Sequence, residues 1–153
     1  MNWDEYFFSL IPVIAAKSKD PSTKVGAVIV APDRSIISTG YNGFPIGVKE
    51  TPERLNDRPT KYKFVAHAEF NAILLASRNG KSVKGATLYL EWYPCTECAK
   101  AIIQSGISNI VVNENSEQFN NKELQERWKV DTDISTTMLM EAGVNLRHWS
   151  SEK

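Results

Sequence analysis

The chain has 153 residues, 42% hydrophobic and 24% charged, with 18 basic and 18 acidic side chains and a formal net charge of zero. That length suits a single domain over 1–153 with a sizeable core, and the charge balance lacks the basic footprint that nucleic-acid partners demand. No apolar run is long enough to cross a membrane, and with only two cysteines the composition fits a reducing cytoplasm better than a disulfide framework.

Taken in order, the chain opens with acidic rather than basic residues, unlike a signal peptide. Trp3, Tyr6, Phe7, Leu10 and Ile14 mark one face of a helix, with Asn2 as its cap. Pro12 is expected to kink that helix or displace its start. Two β-rich runs follow, 25–30 and 36–41, joined by the turn at Pro32–Ser35 into a hairpin. Residues 44–64, with prolines at 45, 52 and 59, read as a long polar loop forming a wall or lid of the active site. A helix over 66–78 stops at Asn79-Gly80. A strand over 86–92 leads to Pro94, which opens a helix running to Gly106. Further on come a strand at 107–112, helices near 122–128 and 134–142, and a strand over 144–149. A hairpin followed by helical crossovers predicts a mixed sheet flanked by helices.

The chemistry concentrates in two stretches, His67-Ala68-Glu69 and Pro94-Cys95-Thr96-Glu97-Cys98. One imidazole and two thiolates supply the three ligands of a catalytic zinc and leave a fourth position for water. Both motifs fall at helix starts, where side chains lean over the open end and thiolates are stabilised by the dipole. Glu69 is free for acid–base work. A redox pair or a structural zinc is the blander reading of Cys95 and Cys98, and a structural site would need His148 as its fourth ligand. The whole pattern, H-x-E with P-C-x-x-C, is similar to the signature of zinc-dependent nucleobase deaminases. In those, zinc supplies an acidified water for attack on C4 of cytosine or C6 of adenine, and a glutamate carries the protons.

With Asp20-Pro21-Ser22-Thr23-Lys24-Val25-Gly26-Ala27 and Gly40-Tyr41-Asn42-Gly43 added, the chain resembles deoxycytidylate (dCMP) deaminases, most of all those of bacterial viruses. The resemblance covers about residues 20–112. It implies a three-layer α/β/α cytidine-deaminase-like fold with a mixed five-stranded sheet, and a hydrolase converting dCMP to dUMP and ammonia for thymidylate synthesis. It also implies a cytoplasmic homo-oligomer, commonly a hexamer, activated by dCTP and inhibited by dTTP, each bound with Mg²⁺. Carried over, His67, Cys95 and Cys98 match the Zn²⁺ ligands and Glu69 the proton shuttle. Lys24, Asn42, Ala68 and Tyr93 fall on the substrate side; Tyr41, Asn42, Gly43 and Arg78 fall on the allosteric nucleotide site.

Simpler roles stand beside several of these. Lys24 can be a solvated surface lysine, Asn42-Gly43 a turn, Tyr93 a core aromatic, and Arg78 a helix-terminal cation. The segment 44–64 contains no Cys or His, so the second, structural zinc of some viral members is absent. A deaminase acting on another cytosine or adenine substrate, and a zinc-stabilised nucleotide-binding module without catalysis, are the competing functions.

Overall fold

The computed structural model describes residues 1–151. Its five strands are β1 (Gly26–Val30), β2 (Ile36–Tyr41), β3 (Thr87–Leu90), β4 (Asn109–Asn113) and β5 (Asn145–Trp149). They form one sheet in the order β2-β1-β3-β4-β5. β1 runs antiparallel to both β2 and β3, while β3, β4 and β5 are mutually parallel. The sheet is therefore mixed, as the hairpin-then-crossover pattern requires.

Strand side chains alternate between faces, and the two faces have separate cores. Ala27, Ile29, Leu88, Leu90, Ile110 and Val112 point to the side covered by α4 (Ala68–Arg78), α5 (Thr96–Ser105) and α7 (Lys129–Glu141). Val28, Val30, Tyr89 and Val111 point to the other side, under α1 (Trp3–Ala15). The result is the three-layer α/β/α arrangement.

Asn2 caps α1 in a reciprocal box with Glu5, the geometry that satisfies two otherwise orphaned N–H groups. Pro12 lies inside this helix without displacing its start; it is exposed, so the lost hydrogen bond falls on the solvent side. The buried stripe differs from the expected one. Phe7, Phe8, Ile11 and Ala15 are buried, whereas Trp3 and Tyr6 are 49% and 38% exposed. The i, i+4 series from Phe7 faces the sheet, and Trp3 instead stacks on Phe7 at 5.8 Å between ring centres.

The segment 44–64 is irregular only as far as Thr51. It folds into α2 (Pro52–Asn56) and α3 (Arg58–Phe64), each capped by the residue before it, Thr51 and Asp57, whose side chains accept from Arg54 N and Thr60 N. Pro52 and Pro59 occupy the opening turns, where proline is tolerated. Two of the three prolines that looked like loop markers, Pro52 and Pro59, are helix starts; Pro45 does lie in irregular chain. Later, α6 (Lys122–Arg127) is followed at once by α7, which begins five residues earlier than the sequence pattern suggested. Asp131 explains part of that shift: its carboxylate accepts from Thr96 N at 3.1 Å and Thr96 Oγ1 at 2.9 Å, holding the first turn of α7 against α5.

Candidate metal and active site

The end of β2 is fastened directly to the start of α4. Gly43 and Ala66 exchange backbone hydrogen bonds of 3.1 and 2.8 Å, and Phe44 stacks on Phe64 at 5.1 Å. Asn71 donates to Tyr41 O at 2.8 Å and Ser38 donates to Ala72 O at 2.8 Å. Gly40 lies flat beneath this helix: a Cβ there would fall 2.2 Å from Ala68 O. These contacts fix the helix mouth where His67 is the N-cap and Ala68 and Glu69 lie in the first turn.

A second helix mouth faces the first. Cys95 is the N-cap of α5, and its sulfur accepts from Cys98 N at 3.4 Å. Behind it, Ser135 donates to Pro94 O at 2.7 Å in a buried bond, which ties the turn to α7. His67 Nδ1 lies 3.4 Å from Cys95 Sγ and 3.5 Å from Cys98 Sγ, and all three donor atoms fall within 4.8 Å of one another. With Zn–S near 2.3 Å and Zn–N near 2.0–2.1 Å, a tetrahedral ion separates a sulfur and a nitrogen by about 3.6 Å. The donor set and its spacing fit zinc.

His148 is not a fourth donor. Its Nδ1 faces Glu114 Oε2 at 3.0 Å and its Nε2 lies 2.7 Å from the Tyr93 hydroxyl. Among the described residues the potential metal cluster comprises His67, Cys95 and Cys98 alone. Three protein donors leave an open position, the arrangement of catalytic rather than structural zinc.

The three donor groups perturb one another strongly. The hydrogen bond with Cys95 raises His67 to about 9 against the opposing effect of burial. Cys95 is lowered to about 4, first by its hydrogen bond with Cys98 and then by His67, while Cys98 is driven upward by Cys95 and by burial. Metal binding needs deprotonated thiols and a neutral imidazole, so affinity falls in acid. Glu69 is buried, and burial pushes its carboxyl upward, partly opposed by His67.

His67 and Cys95 open onto a cavity of about 270 Å³ lined by Glu69, Asn42, Ala68 and Tyr93 among others. A larger cavity of about 480 Å³ borders Trp3, Arg34 and Arg147 at the start of α1 and contains none of the donors. The smaller one alone is lined by His67, Glu69 and Cys95. Asn42 lines it with its amide already engaged: Oδ1 accepts from Val25 N at 2.8 Å and Nδ2 donates to Thr23 O at 2.9 Å. Tyr93 forms part of the wall, edge-on to Trp92 at 4.9 Å. Lys24 is exposed and does not line the cavity.

The residues assigned to nucleotide regulation are spread out. Tyr41 is 39% exposed, Gly43 is buried in its bridge to Ala66, and Arg78 is exposed at the far end of α4. Sequence reading missed Arg58, Lys61, Arg127 and Trp128 as cavity residues. Lys61 is buried in an ion pair with Asp20 at 3.1 Å, a pairing 41 residues apart along the chain. Nothing local signals it.

The family described as the cytidine and deoxycytidylate deaminase zinc-binding region matches residues 1–114. Mouse deoxycytidylate deaminase is 44% identical over 116 residues, 72% of this chain and 64% of its own length. An uncharacterised deaminase encoded in the luxG 3′ region of Aliivibrio fischeri is 39% identical over 144 residues, covering 94% of this chain and 91% of that protein. Among solved structures, the dCMP deaminase of cyanophage S-TIM5 in complex with dCMP and dUMP superposes with a TM-score of 0.70 at 25% identity, over 95% of each chain. The chain thus spans about 64% of the length of the mouse relative, and its similarity extends well beyond viral proteins.

Proposed function

The chain belongs to the cytidine and deoxycytidylate deaminase zinc-binding family, and from that premise we propose that it hydrolyses dCMP to dUMP and ammonia, supplying dUMP for thymidylate synthesis. The observation that carries this reading is the trio of donor atoms within 4.8 Å at the cavity that Glu69 lines. The deoxycytidylate deaminase relatives and the dCMP- and dUMP-bound cyanophage enzyme direct the choice of substrate.

Zinc held by His67, Cys95 and Cys98 supplies, when bound, a water acidic enough to attack C4 at neutral pH. The remaining work falls to the chain's own residues. Glu69 accepts the proton of the attacking water on its carboxylate, delivers it to N3 of the cytosine and assists departure of the amine. The helix mouths of α4 and α5 keep His67, Glu69 and the two cysteines in fixed relative positions. Ala68, Asn42 and Tyr93 form the substrate-facing wall, and the contacts of Asn42 with Val25 and Thr23 hold it rigidly there.

Regulation by dCTP and dTTP with Mg²⁺, within a homo-oligomer of hexameric type, belongs to the same proposal. Its support is the family resemblance at Tyr41-Asn42-Gly43 together with the exposed Arg78. Gly40 lends it none, because packing against α4 already accounts for a glycine there. Differential binding of the two nucleotides to two states is what regulation requires. Initial rates against dCMP with each nucleotide and Mg²⁺ test it; coincident curves would remove the regulatory part alone.

The test of the main reading is a turnover panel of dCMP, CMP, deoxycytidine and a cytosine-containing oligonucleotide, followed by ammonia release. The highest kcat/KM is expected for dCMP. Preference for the oligonucleotide or for a free nucleoside would assign the same chemistry to another substrate.

A further inference from the structure

The charged side chains around the catalytic cavity divide into those with partners and those without. Lys61 is neutralised by Asp20 at 3.1 Å. Asp131 is engaged by Thr96, and the Glu91 carboxylate accepts from Asn113 Nδ2 at 3.1 Å. Glu69 belongs to the reaction centre. What is left is positive: Arg58 on α3 and Arg127 at the end of α6 both line the cavity, and neither makes a salt bridge or side-chain hydrogen bond among the described residues.

We propose that Arg58 and Arg127 form a two-sided clamp for the 5′-phosphate of the substrate and so make the enzyme select nucleotides over nucleosides. This rests on the dCMP reading above and names the residues that confer that selectivity. The guanidinium fork matches a phosphate's oxygens, and charge-assisted pairs of this kind are the strong ones. Two arginines on separate elements can approach a dianion from different directions. Lys61 is not available for the task, since removing it from Asp20 would leave a buried carboxylate alone. Lys24, the lysine expected on the substrate side, does not line the cavity.

Local structure does not account for both arginines. Arg127 closes α6, where the helix dipole favours a cation, but Arg58 is the first helical residue of α3, where the dipole opposes one. A cation held against its local preference at a cavity wall fits a role in binding. Arg127 also lies beyond residues 1–114, the region matched by the family. Its neighbour Trp128 lines the same cavity and is 37% exposed, so α6 and its junction with α7 bring both a charge and an aromatic face to the substrate side. With zero formal net charge over the whole chain, attraction of an anionic substrate must come from such a local pair.

The experiment compares kcat/KM for dCMP and for deoxycytidine in the parent, in Arg58→Gln, in Arg127→Gln and in the double variant. The ratio of dCMP to deoxycytidine is expected to fall by about tenfold or more in each single variant, chiefly through KM for dCMP, as for loss of a charge-assisted contact. Arg58→Lys should recover part of it. Inorganic phosphate should compete with dCMP in the parent and lose that effect in the double variant. Equal losses on both substrates, or an unchanged ratio in the double variant, would overturn the clamp. If the parent fails to turn over dCMP at all, the functional reading fails, and calorimetry with inorganic phosphate decides the clamp separately: binding by the parent and none by the double variant sustains it, equal binding refutes it.

Discussion

Replacing Gly40 by alanine should disturb both the stability of the fold and the geometry of the site. A Cβ at this position would lie 2.2 Å from Ala68 O, 2.6 Å from Ala72 N and 3.0 Å from Ala72 Cα. All three are backbone atoms of α4, so no side chain can rotate away. Ordinary contacts begin near 3.5 Å, so the helix must move by about 1 Å. Overpacking typically costs about 1–3 kcal/mol, and a rigid backbone neighbour argues for the upper end. At this chain length about 3 kcal/mol corresponds to a fall of roughly 6–12 °C in Tm. The same movement shifts His67 and Glu69 relative to Cys95 and Cys98, so dCMP turnover should fall by more than about tenfold. Thermal unfolding followed by circular dichroism, alongside steady-state rates, measures both effects. Gly43→Ala is the control: the nearest atom to its Cβ is the Glu50 carboxylate oxygen at 3.4 Å, and a change within about 1 kcal/mol is expected. If Gly40→Ala melts within about 2 °C of the parent and keeps its turnover, the packing argument is wrong.

Metal analysis of the purified protein should find about one zinc per chain, as a single three-donor site requires; a second tightly held zinc would mean that another donor set exists. Lys61→Met should destabilise the fold by about 3 kcal/mol, the lower end for breaking a buried pair, because Ser22 N and Thr23 N still donate to Asp20. Denaturant titration reads that loss, and Asp20→Asn added to Lys61→Met should restore part of it. Asp4 is pushed up by burial, but hydrogen bonds from Arg147 and Tyr89 outweigh this and hold its carboxyl below the usual range. A depressed folded-state value means stability present above the unfolded pKa and lost as pH falls through the folded one. Asp4→Asn should therefore cost about 1 kcal/mol or less at neutral pH, the range for a partly exposed pair. The difference should disappear in acid below the Asp4 pKa, as melts across that range will show.

The site was legible because its residues act at short range. His67 and Glu69 are two apart, Cys95 and Cys98 three apart, and each pair opens a helix whose start is marked locally, one of them by Pro94. The sheet was legible for a similar reason: an uninterrupted apolar run at 25–30, a second apolar cluster at 110–112 and a tight turn between the first two strands leave few topologies. What escaped depended on distant partners. The Asp20–Lys61 pair and the wall formed by Arg58 and Arg127 exist only once α3 and α6 reach the cavity from distant parts of the chain. The segment 44–64 misled because prolines at helix starts look the same in sequence as prolines in loops. Gly40 is a further case: in sequence it is one residue of the Gly40-Tyr41-Asn42-Gly43 motif, and its reason, the close backbone of α4, shows only in the fold.

Glu69 carries every proton transfer of the proposed reaction, and its most direct test is ammonia release from dCMP by the zinc-loaded Glu69→Gln variant beside the parent. The carboxylate is not among the three donors, so the variant should retain about one zinc per chain and a similar melt. Its turnover should fall by several decades, since one group handles each proton transfer. A variant that keeps its zinc and releases ammonia within about tenfold of the parent would contradict the proposed centre.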